Sequence, residues 1–145
     1  MIELTQKLDK KQKAEGHLTL PIEQRVRSRL RVKLDDGREA GLFLPRGTLI
    51  RGGDCLADNN GLVIKIIAAN EKVSTLHCDN VTQLTRAAYH LGNRHIPLQI
   101  EKDLLRYQHD HVLDNMLKQM GLDVVVEDAP FEPEAGAYQQ TAHSH

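Results

Sequence analysis

Between Arg25 and Leu34 polar and apolar positions alternate without a break. Arg25, Arg27, Arg29, Arg31 and Lys33 fall on one parity; Val26, Ser28, Leu30, Val32 and Leu34 fall on the other. A period of two belongs to a strand with one solvated face and one buried face, here a basic face and a mostly apolar one. Asp36-Gly37 then supplies a hairpin turn, and "EAGLFLP" reads as the returning strand. "RGGD" (Arg51 to Asp54) and "DNNG" (Asp58 to Gly61) are two further turns, followed by the apolar strand "LVIKIIAA" from Leu62 to Ala69. Residues 1–70 are therefore predicted to form an all-β domain, a small sandwich or barrel.

The period changes after Asn70. "KVSTLHC" is a strand candidate, and Asn80 with Gln83 three residues on resembles a capping box ahead of "VTQLTRAAYHL". Leu84, Ala87, Ala88 and Leu91 share one helix face, and Gly92 reads as a left-handed helix stop. "IPLQI" and "LLRYQ" are short strands. A second helix spans Val112 to Met120, with Leu113, Met116, Leu117 and Met120 on one face and Gly121 as its stop. "LDVVVE" closes the series. The order β-α-β-β-α-β is the ferredoxin-like plan, predicted over residues 71–138. The fold class is thus α+β. From Asp128 onward Pro, Glu, Ala and Gly dominate, which predicts a loosening chain and a flexible tail at 139–145 carrying His143 and His145.

Composition narrows the function. The chain has 145 residues, a formal net charge of −1 and only 3% aromatic residues, so its core is mainly aliphatic and nucleic acid is not the expected partner. No apolar run approaches the ~18 residues of a membrane span. The N-terminal "MIELTQKLDKKQK" lacks the apolar core of a secretory leader. Two cysteines, Cys55 and Cys78, are too few for a disulfide framework, so a cytoplasmic setting is expected.

Eight histidines are the main chemical hint. His109 and His111 flank Asp110, a good helix cap. With His109 extended and His111 in the first helical turn, the two can chelate one ion; two solvated rings are the alternative. Cys78 ends a strand and offers a soft thiolate, or is a small buried apolar side chain. His95 stands in a short connection between Gly92 and Pro97, where little freedom remains. A structural role for its ring competes with ligation. One ring cannot hold an ion alone, but a two-fold axis would supply its twin. No zinc-protease, nucleophile-elbow or phosphate-loop motif is present, and "HDHVLDNM" departs from the metallo-β-lactamase pattern, so no catalytic residues and no enzyme are expected.

The segments "LPRGTLIRGGDCL", "LGNRHIPLQI", "YQHDHVLDNMLKQMGL" and "PFEPEAGAY" resemble those of the UreE urease accessory proteins, a family of nickel metallochaperones. The resemblance implies an N-terminal domain that binds polypeptide and a ferredoxin-like domain that binds metal and dimerises. It implies that His95 of each subunit meets its mate around one Ni²⁺, with His109 and His111 as a peripheral pair and Cys78 as a soft donor. It implies a homodimer that delivers Ni²⁺ to apo-urease through a complex with an accessory GTPase. Imidazoles also suit Cu²⁺ and Zn²⁺, so the ligands alone do not select nickel. Many members end in a long histidine-rich tail; here only His143 and His145 follow Tyr138, because either the tail is short or the chain was cut, so the resemblance carries over the central site, with these two rings as extra ligands, but not high-capacity storage. The rival expectation uses the basic strand face, Arg25, Arg27, Arg29, Arg31 and Lys33, to grip nucleic acid or to dock a partner protein.

Overall fold

The computed structural model describes residues 1–136. The chain forms two compact units, Met1–Ala69 and a second that begins at Asn70. No helix among the described residues is long and apolar enough to cross a membrane.

The first unit contains β1 (Ile2–Leu4), β2 (Gln6–Lys7), β3 (Gly16–Leu20), α1 (Ile22–Arg25), β4 (Arg29–Lys33), β5 (Glu39–Phe43), β6 (Cys55–Ala57) and β7 (Val63–Ala68). They make a three-stranded sheet, β1-β5-β4, and a four-stranded sheet, β2-β6-β7-β3. Leu4, Leu18, Leu20, Leu42, Leu56, Ile64 and Ile66 from both sheets, with Leu34 and Ile50 from the connections, form one aliphatic core. This is the small sandwich that the turn spacing predicts. The hairpin at Asp36-Gly37 forms, with Gly37 at φ 95° and Leu34 N–H donating to Arg38 O at 2.8 Å.

The long alternating strand does not form as read. Ile22–Arg25 is a helical turn behind Pro21, and the strand begins only at Arg29. Arg25 is fully buried: its Nε donates to Leu20 O at 3.0 Å and its Nη1 to Ile50 O at 3.2 Å. Arg25 is therefore no part of an exposed basic face. Alternation records side-chain character; it does not reveal that buried carbonyls can solvate a guanidinium. Arg27 is exposed but precedes the strand. The basic strand face is Arg29, Arg31 and Lys33, opposite Phe43, Gly41 and Glu39 on β5.

The second unit contains β8 (Asn70–His77), α2 (Val81–Gly92), β9 (Gln99–Glu101), β10 (Leu104–Gln108), α3 (His111–Gln119) and β11 (Val124–Pro130). The sheet order is β11-β8-β10-β9, antiparallel throughout, as the ferredoxin-like plan requires. Asn80 caps α2 by accepting from Gln83 N–H at 2.9 Å. Ala87 and Leu91 of α2 and Leu113 and Leu117 of α3 pack on Leu76, Leu105 and Tyr107 of the sheet.

The chain does not loosen at Asp128. β11 continues to Pro130, Phe131 is fully buried, and Glu134 N–H donates to Leu98 O at 2.8 Å. Composition predicted looseness because Pro and Glu dominate there, but one buried aromatic and a few backbone hydrogen bonds suffice to dock the segment. The expectations for Tyr138, His143 and His145 lie outside the described residues.

Candidate metal site

The sequence reading puts a left-handed stop at Gly92. In the structure Gly92 lies inside α2, and Asn93 follows with φ −63° and ψ −19°. The last turn tightens: Arg94 N–H donates to Leu91 O at 3.1 Å and His95 N–H to Gly92 O at 3.0 Å. The reversal itself falls on His95, whose φ is 56°. Ile96 cannot supply it, because Pro97 holds the residue before it away from helical angles. Among the described residues His95 is the only non-glycine with positive φ, whereas Gly37, Gly47, Gly53, Gly61 and Gly121 serve the other such positions. A left-handed side-chain-bearing residue costs about 1–2 kcal/mol. Its retention at a place where glycine would fit without strain directs attention to the imidazole. The ring is exposed and takes no hydrogen bond from a described residue. The loop is tied to α3 by Arg94, whose Nη2 lies 3.6 Å from the Met116 sulfur.

His109 and His111 take the conformations expected of them. His109 follows β10 in extended chain, Asp110 caps α3 by accepting from Val112 N–H (2.9 Å) and Leu113 N–H (3.3 Å), and His111 is the first residue of the helix. Their environments differ. His111 is exposed, whereas His109 retains only 26% side-chain exposure and is engaged by its Nδ1. That atom lies 3.2 Å from Asp114 Oδ2 and 3.1 Å from Ser74 Oγ. Asp114 is itself buried and accepts from the Tyr107 hydroxyl through Oδ1. Burial, together with the neighbouring Asp114 carboxylate, pushes the Tyr107 phenol far above its usual range, so it stays a donor. Tyr107 and Ser74 are both fully buried.

In the sequence, Asp114 is the aspartate of "HDHVLDNM", at an offset that does not fit the metallo-β-lactamase pattern. Its signal was an acidic residue beside Leu113 and Leu117 on the buried side of α3, since a carboxylate there needs partners. Cys78 is half-buried against the core of the unit, with Sγ 3.5 Å from Asn80 O and 3.7 Å from Gln83 Oε1. Among the described residues of one chain, no three His, Cys, Asp or Glu side chains converge to hold an ion. His95, His109, His111 and Cys78 all lie on the second unit.

Known proteins divide along the same line as the fold. The family model for the N-terminal domain of UreE urease accessory protein matches residues 2–69, and that for its C-terminal domain matches residues 71–145. A urease accessory protein UreE of Pseudomonas putida (strain W619) is 60% identical, over 99% of this chain and 90% of its own. One of Enterobacter sp. (strain 638) is 58% identical, over 99% and 95% respectively. Another, of Escherichia coli O157:H7 (strain EC4115 / EHEC), is 53% identical over the whole of this chain and 95% of its own. The class so defined is that of accessory proteins acting in urease maturation. Within it, the chain belongs to the UreE family.

Proposed function

We propose that the chain is a nickel carrier of the cytoplasm, working as a homodimer in which the His95 rings of two subunits share one Ni²⁺. The observation that carries this reading is the exposed imidazole held in a left-handed corner at a conformational cost. An exposed ring between two proteins can be reached by a third, which suits delivery better than a closed cage. Neutral imidazole is a good donor for Ni²⁺ and also for Cu²⁺ and Zn²⁺, so nickel identity rests on supply and partners. His109 and His111 form a second, peripheral donor pair, and Cys78 becomes a soft donor once its thiol turns from Asn80 and Gln83. The extra-ligand role expected of His143 and His145 falls on residues outside those that the structure describes.

Delivery goes to apo-urease through a complex with the accessory GTPase of urease maturation. For docking, the first unit offers Arg29, Arg31 and Lys33 on β4 beside an apolar groove lined by Met1, Leu30, Gly41 and Phe43. A Cβ on Gly41 would lie 2.8 Å from the Phe43 ring, so glycine lets that ring lie along the strand, with the Arg29 guanidinium 5.8 Å from its centroid. A face mixing apolar and cationic groups suits a protein partner better than a phosphate backbone. Arg31 is also partly offset by Glu39 at 4.0 Å. Isothermal titration of Ni²⁺ into the protein and into His95→Ala tests the carrier reading: loss of one equivalent per dimer is expected, and unchanged binding would refute it.

A further inference from the structure

We infer that Asp114 is a positioning residue that fixes His109 as its Nδ1–H tautomer and so presents the opposite nitrogen, Nε2, as the metal donor. The inference rests on the proposal that His109 ligates metal, and adds the residue that prepares it to do so.

A carboxylate oxygen accepts and cannot donate, so Asp114 Oδ2 at 3.2 Å from Nδ1 demands a proton on that nitrogen. Neutral imidazole carries only one proton, so Nε2 is then a bare lone pair. The Ser74 hydroxyl, 3.1 Å from Nδ1, can accept from the same N–H or turn away, so it tolerates the assignment without imposing it. Asp114 has little freedom to do otherwise. Its Oδ1 receives the Tyr107 hydroxyl, its backbone is held in α3 by an N–H bond to Asp110 O at 3.0 Å, and it is buried. The carboxylate therefore has one oxygen anchored by Tyr107 and the other facing the ring.

The arrangement crosses two elements. His109 leaves β10, Asp114 rises from the first turn of α3, and Ser74 lies on the adjacent β8. A carboxylate behind a histidine is the usual outer partner of a metal-bound imidazole; it sets the ring's orientation and raises its basicity as a ligand. His111 shows no such backing: it is exposed at the helix start. The two histidines of the peripheral pair are therefore unequal, and His109 is the anchoring one.

Asp114→Asn tests this because it keeps the shape and reverses one hydrogen bond. The amide oxygen takes the Tyr107 hydroxyl, the amide NH₂ faces His109 Nδ1, and the ring's proton moves to Nε2. An aspartate-to-asparagine change beside a catalytic histidine acts by the same tautomer reversal. Long-range ¹H–¹⁵N NMR of the metal-free full chain, at a pH where His109 is neutral, reads the tautomer directly. The wild type is expected to carry its proton on Nδ1, Asp114→Asn on Nε2, and Ser74→Ala on Nδ1 as in wild type. Nickel titration should show the His109-dependent equivalent weakened ~10–100-fold in Asp114→Asn, with the His95-dependent equivalent unmoved.

A wild-type His109 protonated on Nε2, or an Asp114→Asn chain with unchanged tautomer and affinity, would overturn the inference. So would a tautomer switch in Ser74→Ala. The wild-type spectrum decides the first point even if Asp114→Asn does not fold. His109→Ala separates the two levels: if it leaves every nickel equivalent intact, His109 is no ligand and that part of the functional reading fails, whatever the tautomer.

Discussion

The backbone N–H of His95 donates to the carbonyl of Gly92 across 3.0 Å while His95 itself stands at φ 56°. The last turn of α2 thus closes onto a residue that a glycine would serve with less strain. His95→Gly is expected to keep or slightly raise the stability of the metal-free protein, by up to about 1 kcal/mol. Relief of left-handed strain is worth ~1–2 kcal/mol, and the added backbone entropy of glycine offsets part of it. The same variant should lose the shared nickel. Urea denaturation without metal checks the first half. A loss of more than about 1 kcal/mol would mean that the ring supports the fold.

Arg25 and Arg31 stood on one predicted face, and the structure separates them. Arg25→Met should cost roughly 2–4 kcal/mol, because the carbonyls of Leu20 and Ile50 lose a charged donor inside the core. Arg31→Ala should stay within about 0.5 kcal/mol, since its ion pair with Glu39 is exposed and 4.0 Å long. Thermal melts of both variants decide it. Similar costs would contradict the burial of Arg25.

A cross-strand clasp should make the second unit acid-sensitive. Arg106 on β10 donates by Nε to Thr75 Oγ1 at 2.9 Å, by Nη1 to Pro130 O at 3.1 Å, and pairs by Nη2 with Glu127 at 3.4 Å. The Thr75 hydroxyl first, and then the Arg106 charge, hold the Glu127 carboxyl below its usual range. A depressed carboxyl stabilises the fold above its unfolded value, and that contribution is lost as pH falls through the folded one. The urea midpoint of the wild type should therefore fall more steeply than that of Glu127→Gln as pH drops below about 4.5. Parallel curves would show that Glu127 contributes nothing there.

Metal binding should itself depend on pH, because protons compete for imidazole. Nickel affinity should therefore be weaker at pH ~5.5 than at pH ~7.5. Nickel titrations at the two values test this, and equal affinities would exclude imidazole ligands.

How far the sequence reaches differs between the halves. In the second unit periodicity and caps agree, so both helices, both N-caps and the strand order follow from local signals. The basic strand reads too long because Arg25 and Arg27 keep the parity of Arg29, while Pro21 starts a helical turn that parity does not register. Backbone preference points to glycine for the left-handed stop, yet the reversal falls on His95, two residues before Pro97. The segment after Pro130 reads as loose by composition, but Phe131 is buried. Asp114 was hidden for a different reason. Its partner Tyr107 lies on β10, and His109, the ring it faces, also meets Ser74 on β8; only folding brings these side chains together.

The central claim is that two His95 rings share one cation across a symmetry axis. Equilibrium nickel dialysis with oligomer mass measured in parallel, on wild type and His95→Ala, tests it most directly. The account predicts a dimer carrying one Ni²⁺ per two chains that His95→Ala cannot hold. Retention of that ion by His95→Ala, or its binding to a lone wild-type chain, would contradict the account.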